Sequence, residues 1–369
     1  MVEFTPSEEQ RIICDSMAAF ARDVLRAEAR DADEGGTIPG SVVKTAWDLG
    51  LVQNVIPEAY GGFGDERSAV TGALIAEELA CGELSFALHV LAPRLLVQPV
   101  VEFGSPRQKE RYLKRFADGT FQPVTAAVME PQIDFDLAAL ATTATKEGNS
   151  YVLSGRKCLV PLGSRAETFL VYATTEPGGG YAAVEGFLID RGTPGLIIGE
   201  REKNMGIKAL ETVGLTLEGC RVAKENRLGE ETGSQFQRIM DASRIALGAM
   251  AVGVARAAYQ YALDYAKERV AFGKAIAQNQ AIAFMLADMA IEIDAVRLLV
   301  WEAAWGFDQG NDVLRESYLA KHYAAQMVLK VADNAVQVLG GHGYVRDHPV
   351  ELWLRNARGF ATFEGLAIV

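Results

Sequence analysis

The spacing of apolar residues changes twice along this chain of 369 residues. It is helical up to about residue 120, strand-like to about residue 230, and helical again to the end. A pattern with one period does not fold stably into the other type of element, so each segment should form its own kind of structure. We predict an α+β protein with an N-terminal helical domain (residues 1–120), a β-domain (121–230) and a C-terminal helical domain (231–369).

The first segment contains two signals for the start of a helix. Thr5, followed by Pro6 and Glu8, predicts a capped start with proline in the first turn. Further on, FGSPRQKERYLKRFADG predicts an amphipathic helix that Ser105 caps and that Gly119 ends.

Short β-branched and aromatic runs fill the second segment. SYVLSGRKCLV, TFLVYATT, EGFLID, GLIIGE and VGLTLEGCRV each have the composition and length of a strand. The stretches between them, including EGN, EPGGG and RGTPG, consist of turn residues. The segment is therefore predicted to be an all-β domain.

The third segment has the stripe of a long buried helix, in which apolar residues step by three and four positions. Other faces of its helices carry alanine, which suits tight helix packing or an oligomer interface better than a solvated surface. The stripe consists of Leu286, Met289, Ile293, Val296 and Val300.

Charge and cysteine content narrow the class of protein. The net charge of −12 argues against a nucleic-acid surface and against a polybasic membrane anchor. The four cysteines are far apart and the four histidines lack ligand spacing, so we expect reduced thiols and no metal site. The N-terminal MVEFTPSEEQ lacks the pattern of a signal peptide, and no apolar run is long enough to cross a bilayer. We therefore expect a cytoplasmic protein.

The last ten residues, FATFEGLAIV, place Glu364 among apolar neighbours. In an acidic protein with many better-solvated positions for a carboxylate, this placement has two interpretations. Glu364 is either a catalytic base held away from water, or a helix-end carboxylate that accepts backbone N–H groups.

Two glycine-containing turns are further candidates for a binding site. One follows AKERVAFG, where Gly273 should interrupt a helix, and the other is the GGHG turn that begins at Gly340. Glycine allows the backbone to approach a ligand closely, although helix C-caps and tight turns use it as often.

Taken together in this order, these stretches resemble the acyl-CoA dehydrogenase family over essentially the whole chain. The most specific part runs from RVAFGKAIAQNQAI through QVLGGHGY, with support from FLIDRGTPGL and NMGIKALET in the β-domain. The resemblance implies a C-terminal four-helix bundle and a tetramer, homomeric or with a homologous subunit, in which FAD lies at a dimer interface. It also implies α,β-dehydrogenation of an acyl-CoA thioester, with electrons passed to an electron-transfer flavoprotein.

The resemblance gives Glu364 the role of the base that removes the α-proton. Some relatives carry the base on an earlier helix, at the position of Ser243, which cannot serve. Arg244 matches an arginine near the base and substrate, and Asp241 matches a polar residue near the CoA part. An arginine buried in an alanine-rich helix also needs an anionic partner, which Glu364 or the CoA thioester region would provide.

A second set of residues matches positions that hold the adenosine diphosphate half of an FAD belonging to the neighbouring subunit. Arginine supplies a forked donor for the pyrophosphate, and the glycines allow close approach. The set consists of Arg269, Phe272, Gln280, Gln337, Gly340 and Gly341.

The part of the β-domain that should face the flavin departs from the family pattern. The family usually has Thr-Glu-Pro-Gly-Ala-Gly-Ser-Asp, whereas this chain has MEPQIDFD from Met129 to Asp136. The family's Trp-Ile-Thr is here Leu-Val-Pro, ending at Pro161. Met129 and Pro161 thus stand where threonine donors are expected, and proline has no backbone N–H to offer in their place.

The end of the sequence departs from the family as well. After Glu364-Gly365 the family continues with threonine and a further helix, whereas Leu366 follows here and the sequence stops at Val369. This leaves two alternatives: a short C-terminal end, or a last helix that is absent from this sequence.

Three functions follow from these matches and departures. The first is an FAD-dependent acyl-CoA dehydrogenase with an atypical flavin face. The second is a flavin-poor partner subunit in a heteromeric dehydrogenase, which would keep the residues that act on a neighbour's FAD. The third is a different flavin oxidation on the same fold. Retention of Glu364 favours the first, because the base serves the flavin face of its own subunit.

Overall fold

The computed structural model describes residues 5–64 and 67–369. The first helix begins at Glu8 and is capped by Ser7, whose hydroxyl accepts the N–H of Gln10 at 3.1 Å. The Gln10 side chain accepts the N–H of Ser7 in return, at 3.0 Å. The predicted start at Thr5 was therefore wrong by two residues, because Ser7 has a reciprocating partner three positions on. The N-terminal helices are α1 (Glu8–Phe20), α2 (Arg26–Gly35), α3 (Gly40–Asp48), α4 (Ala69–Gly82), α5 (Leu84–Leu91), α6 (Arg94–Phe103) and α7 (Pro106–Leu113).

Helix α7 begins where the sequence predicts, but the α-helix ends at Leu113 and does not continue to Gly119. Ser105 caps it in a reciprocal pair with Gln108, and a short 3-10 turn follows it. The chain then leaves the helical domain at Gly119, whose φ of +70° lies in the left-handed region.

Helices α5 and α6 form the most enclosed part of the N-terminal domain. Every residue of α5 is buried, and burial in α6 extends from Arg94 to Val100. Within residues 5–64 and 67–369, no single helix is long and apolar enough to cross a membrane. As a pair bent by 40°, α5 and α6 would reach that length and composition.

The middle of the chain forms one curled seven-stranded sheet. Its hydrogen-bonded order is β1-β4-β2-β3-β7-β6, with β5 paired to the other side of β4. The long strands β3 and β7 run antiparallel along most of their length, and β1 lies parallel to β4. The strands are β1 (Val124–Ala127), β2 (Thr143–Glu147), β3 (Ser150–Pro161), β4 (Thr168–Thr174), β5 (Val184–Asp190), β6 (Leu196–Arg201) and β7 (Thr212–Ala223).

The C-terminal domain is a bundle of three long helices and one shorter one, as predicted, and a single helical turn precedes the shorter helix. The centre of the bundle is α8, which has 33 residues and is buried almost continuously from Ile239 to Val254. The predicted stripe on α9 from Leu286 to Val300 is confirmed, since all five of its members are buried. The helices are α8 (Phe236–Glu268), α9 (Gln280–Asp308), α10 (Leu314–Leu339), α11 (Gly341–Tyr344) and α12 (Val350–Gly359).

The predicted break at Gly273 is a two-stranded hairpin between α8 and α9. Its strands are β8 (Val270–Ala271) and β9 (Lys274–Ala275), and its turn residues Phe272 and Gly273 have φ of +52° and +82°. Two consecutive residues with positive φ are typical of the tight turns that match strand twist. The Phe272 side chain at the tip is fully exposed.

One buried amide joins all three domains. The Nδ2 of Asn356 on α12 donates to Glu83, at the α4–α5 junction, at 2.9 Å. Its Oδ1 accepts the N–H of Ile207, in the β-domain, at 2.7 Å. Because Asn356 is completely buried, losing either partner would leave a polar group unsatisfied.

Candidate active site

Glu364 lies where the C-terminal helical domain meets the β-domain. One of its carboxylate oxygens, Oε1, is 2.8 Å from the Nζ of Lys321 on α10. The other, Oε2, is 3.9 Å from the Nε of Arg244 on α8. Its backbone N–H donates to the Sδ of Met129, just past β1, at 3.4 Å. The apolar neighbours in sequence therefore do not surround the carboxylate, which lies between two cations.

Arg244 is held from three sides. Its NH1 is 3.5 Å from the Oδ1 of Asp241 one turn earlier, and its NH2 donates to the Tyr181 hydroxyl at 3.0 Å. Its guanidinium also lies over the ring of Tyr318, 5.5 Å from the centroid. The anionic partners that a buried arginine requires are thus Asp241 and Glu364.

Asp241 is a buried carboxylate that belongs to the same network. Burial raises its pKa above the ordinary value, and the hydrogen bond from Ser317 and the charge of Arg244 act in the opposite direction. The Ser317 hydroxyl donates to Oδ1 at 2.8 Å. The predicted position of Asp241 near the CoA part is untested, but these contacts give it a structural role beneath Arg244.

The network has two cations and two carboxylates, and one oxygen in it is free. Within residues 5–64 and 67–369, Oε2 of Glu364 and Nε of Arg244 are buried and lack a hydrogen-bond partner. A carboxylate with one oxygen anchored and the other unpaired can accept a proton at the unpaired oxygen. Ser243, beside Arg244, is also buried with an unpaired hydroxyl in the described ranges.

A cleft of about 780 Å³ opens next to this network. Tyr181 and Tyr318, which both contact Arg244, form part of its wall, and Arg315 lies along it. A second cleft, of about 350 Å³, separates Leu159 of the β-domain from Phe363, next to Glu364. Among the described residues, no group of histidine, cysteine or acidic side chains is arranged to hold a metal ion.

The residues predicted to hold adenosine diphosphate lie together at one end of the bundle. The hydroxyl of Tyr265, near the end of α8, is 2.7 Å from Nδ1 of His342, just after α10. This contact brings the hairpin and the GGHG turn to the same end. All six predicted residues are exposed in the single chain: Arg269, Phe272, Gln280, Gln337, Gly340 and Gly341.

This end of the bundle has the features that an anionic group requires. Gly340 has a φ of +58°, and a Cβ at Gly340 or Gly341 would meet nothing within 4 Å, so the backbone is open to a ligand. Arg269 makes no ion pair within the described part of the chain. The residues therefore fit the adenosine diphosphate half of FAD, provided that it extends from a neighbouring subunit.

The predicted flavin-side residues are placed differently, because both are buried in their own chain. Met129 lies against Glu364, whose N–H it accepts, whereas Pro161 ends β3 and pairs with Thr212. Leu159 has a φ of +51° at an irregularity in β3, and its N–H donates to the carboxylate of Glu202 at 3.1 Å. The end of β3 therefore has few backbone donors left for a flavin ring.

Glu130, retained from the family pattern, is structural. Its carboxylate accepts the N–H groups of Ala141 and Thr142 and pairs with the fully buried Lys157 at 2.8 Å. Burial lowers the pKa of Lys157 to about 8, although the carboxylate of Glu130 opposes the shift. This pair fixes the chain between β1 and β2, beside Met129.

Sequence reasoning missed three side chains of the site: Tyr181, Tyr318 and Lys321. Tyr181 lies in a turn of the β-domain, and only the folded chain brings it to Arg244. A signal existed for Lys321, which follows Ser317 by four residues and so shares a face of α10 with it.

The order of a helical domain, a β-domain and a helical bundle is that of a class of flavin-dependent dehydrogenases. Family models for the N-terminal, middle and C-terminal domains of acyl-CoA dehydrogenases match residues 7–120, 125–220 and 233–367. The chain belongs to the acyl-CoA dehydrogenase family, whose members are FAD-dependent oxidoreductases that act on CH–CH bonds.

Two relatives are similar in sequence to this chain over nearly its whole length. The cyclohex-1-ene-1-carbonyl-CoA dehydrogenase of Geobacter metallireducens is 37% identical, with 95% of this chain and 93% of that protein covered. The acyl-CoA dehydrogenase of Bacillus subtilis is 34% identical, with 97% and 95% covered.

Solved structures show the same fold. Butyryl-CoA dehydrogenase from Megasphaera elsdenii superposes with a TM-score of 0.87 at 31% identity, covering 97% of this chain and 94% of that one. PigA in complex with FAD superposes with a TM-score of 0.88 at 27% identity, covering 98% and 95%.

Proposed function

We propose that this chain dehydrogenates an acyl-CoA thioester and that Glu364 removes the α-proton. The observation that supports this role is the carboxylate with Oε1 anchored and Oε2 buried without a hydrogen-bond partner among the described residues. When bound, FAD would supply the hydride acceptor for the hydrogen on the β-carbon. The guanidinium of Arg244, whose Nε lacks a hydrogen-bond partner among the described residues, would stabilise the negative charge that develops on the substrate when the α-proton leaves.

The proposal includes a cofactor site shared between subunits. The six exposed residues around the hairpin and the GGHG turn would hold the adenosine diphosphate half of a neighbour's FAD. An exposed apolar stripe on α9, with members seven residues apart, supports assembly through the C-terminal domains as a homotetramer or with a homologous subunit. Its members are Phe284, Ile291 and Leu298, which are 61%, 66% and 45% exposed.

The electron acceptor and location are also proposals. One solved relative, with a TM-score of 0.88 at 33% identity, is described in work on an electron transferring flavoprotein of Acidaminococcus fermentans. We propose a protein of that kind as the acceptor. The four cysteines are free thiols, which supports a reducing compartment such as the cytoplasm.

A second function is supported by the end of β3. The N–H groups of Cys158 and Leu159 already donate within the chain, and Pro161 has none. A flavin-poor partner subunit, completing the FAD site of a homologous chain, would tolerate this loss. The exposed end of the bundle that carries Arg269 would then be functional, and Glu364 would not be.

Glu364→Gln tests the proposed base. The amide keeps the shape of the side chain but is not a proton acceptor, so flavin content should be retained. Reduction of the flavin by an acyl-CoA should fall by about 100-fold or more. The measurement is rapid-mixing absorbance of the flavin band with a panel of acyl-CoAs.

The same experiment separates the alternatives. Equal rates in parent and variant would remove Glu364 from the mechanism. A parent protein that is colourless alone, and yellow only when produced with a homologue, would support the partner-subunit function.

A further inference from the structure

Lys321 is a nearly buried cation whose side-chain contact is the carboxylate of Glu364. Its side chain is 12% exposed, and its Nζ is 2.8 Å from Oε1. Among the described residues, that oxygen is the hydrogen-bond acceptor of Nζ. Removing an ammonium from water is unfavourable unless it is paired, so the fold must provide for this contact.

Three residues on one face of α10 approach the same network. Ser317 donates to Asp241, the ring of Tyr318 lies under Arg244, and Lys321 pairs with Glu364. Residues spaced by three and four positions share a face of a helix, so α10 positions all three together. The helix therefore fixes the Lys321 ammonium relative to the Arg244 guanidinium.

The arrangement makes the two oxygens of Glu364 unequal. Lys321 anchors Oε1, while Oε2 stays 3.9 Å from Nε of Arg244, beyond hydrogen-bond distance. The charged groups that face the carboxylate are Lys321 from α10 and Arg244 from α8, with Asp241 behind Arg244. The uncharged thioether of Met129, just past β1, contacts the backbone N–H of Glu364.

We propose that Lys321 is a positioning residue for Glu364: it anchors Oε1 and so presents Oε2 as the proton acceptor. The proposal rests on the proposed function, because it assumes that Glu364 is the base. Lys321 would act through Glu364 by its charge and by the position of its ammonium.

The first test follows the protonation of Glu364 directly and needs no turnover. Infrared titration of the purified protein gives the pH at which the protonated carboxyl band of Glu364 appears, and Glu364→Gln assigns the band by its loss. In Lys321→Met the midpoint should rise by about one pH unit or more, since an opposite charge at this distance has been removed. An unchanged midpoint would overturn the proposal.

Two further variants isolate the effect of charge. Lys321→Arg keeps the cation and should stay close to the parent midpoint. Lys321→Gln can still donate a hydrogen bond but has no charge, so it should titrate like Lys321→Met and replaces that variant if it fails to fold. Lys330→Met is the matched control, because Lys330 lies on the same helix and pairs with Glu292 at 2.9 Å while 55% exposed. It should leave the Glu364 midpoint unchanged.

The second test separates positioning from a merely structural role. With an acyl-CoA that the parent oxidises, Lys321→Met should lower kcat by about tenfold to a hundredfold with little change in KM, because a displaced base slows the proton transfer. The acid limb of its pH–rate profile should move to higher pH with the infrared midpoint. A lower kcat with an unmoved acid limb would contradict the proposal.

Failure of the proposed base and failure of the role of Lys321 would give different results. If Glu364→Gln retains full activity, the proposed base is wrong, yet the infrared titration still shows whether Lys321 controls the ionisation of Glu364. If Glu364→Gln is inactive and Lys321→Met behaves as the parent in both tests, only the role of Lys321 is overturned.

Discussion

At the scale of single residues, the site depends on how buried charges are paired. Asp241 and Arg244 are one helical turn apart on α8, and each is 3% exposed. The same helix carries a second pair with the same spacing, Asp264 and Lys267, which is solvent-exposed. The two pairs therefore have the same spacing in the sequence and differ in burial.

Asp241→Ala should lower the free energy of unfolding by about 3 kcal/mol, because it leaves the Arg244 guanidinium buried beside fewer anions. Asp264→Ala, the control, should change it by about 0.5 kcal/mol or less. Urea midpoints of the two variants and the parent give the comparison. Equal effects of the two substitutions would mean that the buried pair stabilises the fold no more than the exposed pair does.

At the scale of elements, the junction of α4 and α5 depends on one carboxyl group. Glu83 is the N-cap of α5, where its Oε2 accepts the N–H of Phe86 at 3.0 Å. Its Oε1 accepts from Ser85 and Asn356. Complete burial raises the pKa of Glu83 to about 7 although these hydrogen bonds oppose the shift. The folded protein therefore binds a proton at Glu83 more tightly than the unfolded chain does.

This shift makes stability depend on pH with a definite sign. The contribution of Glu83 is fully present below the ordinary pKa of 4.5 and is lost as pH rises toward 7. Glu83→Gln does not titrate, so its stability relative to the parent should improve from pH 5 to pH 8, by up to about 3 kcal/mol.

A constant loss of about 1 kcal/mol is also expected for Glu83→Gln, because one of its amide donors must face another donor. The test is thus the change with pH in the difference between the urea midpoints of variant and parent. Glu9→Gln, at an exposed position of α1, is the control. A difference that stays constant from pH 5 to pH 8 would contradict the shift.

At the scale of the whole molecule, the proposed cofactor site requires more than one chain. Arg269→Ala should weaken flavin retention by about tenfold or more, since it removes a charged hydrogen-bond donor for the pyrophosphate. Lys274→Ala, on the same hairpin, is the control and should keep parent occupancy. Flavin absorbance after dialysis gives the occupancy, and light scattering should show the same oligomer for both variants.

Equal occupancy in Arg269→Ala and Lys274→Ala would remove Arg269 from the site. A monomeric parent at micromolar concentration would exclude a site completed by a neighbour.

The fold could be predicted from the sequence more fully than the site. The order of helical, strand-rich and helical segments and the stripe on α9 follow from local spacing, and the structure confirms both. The proximity of Arg244 to Glu364 was expected, because a buried arginine needs an anionic partner. The contacts of Glu364 with Lys321 and Met129 could not be predicted, because both residues are distant from it in sequence. The apolar neighbours of Glu364 indicated a carboxylate held away from water, but neighbours along a non-helical segment do not determine which way a side chain points.

The exposed tip of the hairpin has a consequence for how such a protein is produced. A newly folded chain presents Phe272 to water. In the proposed assembly it also holds only part of its own cofactor pocket, and the remainder lies on another molecule. Cofactor retention would then depend on the concentration of the protein as well as on that of FAD. At low expression, dilution of the subunits would limit the holoenzyme even where the cofactor is abundant.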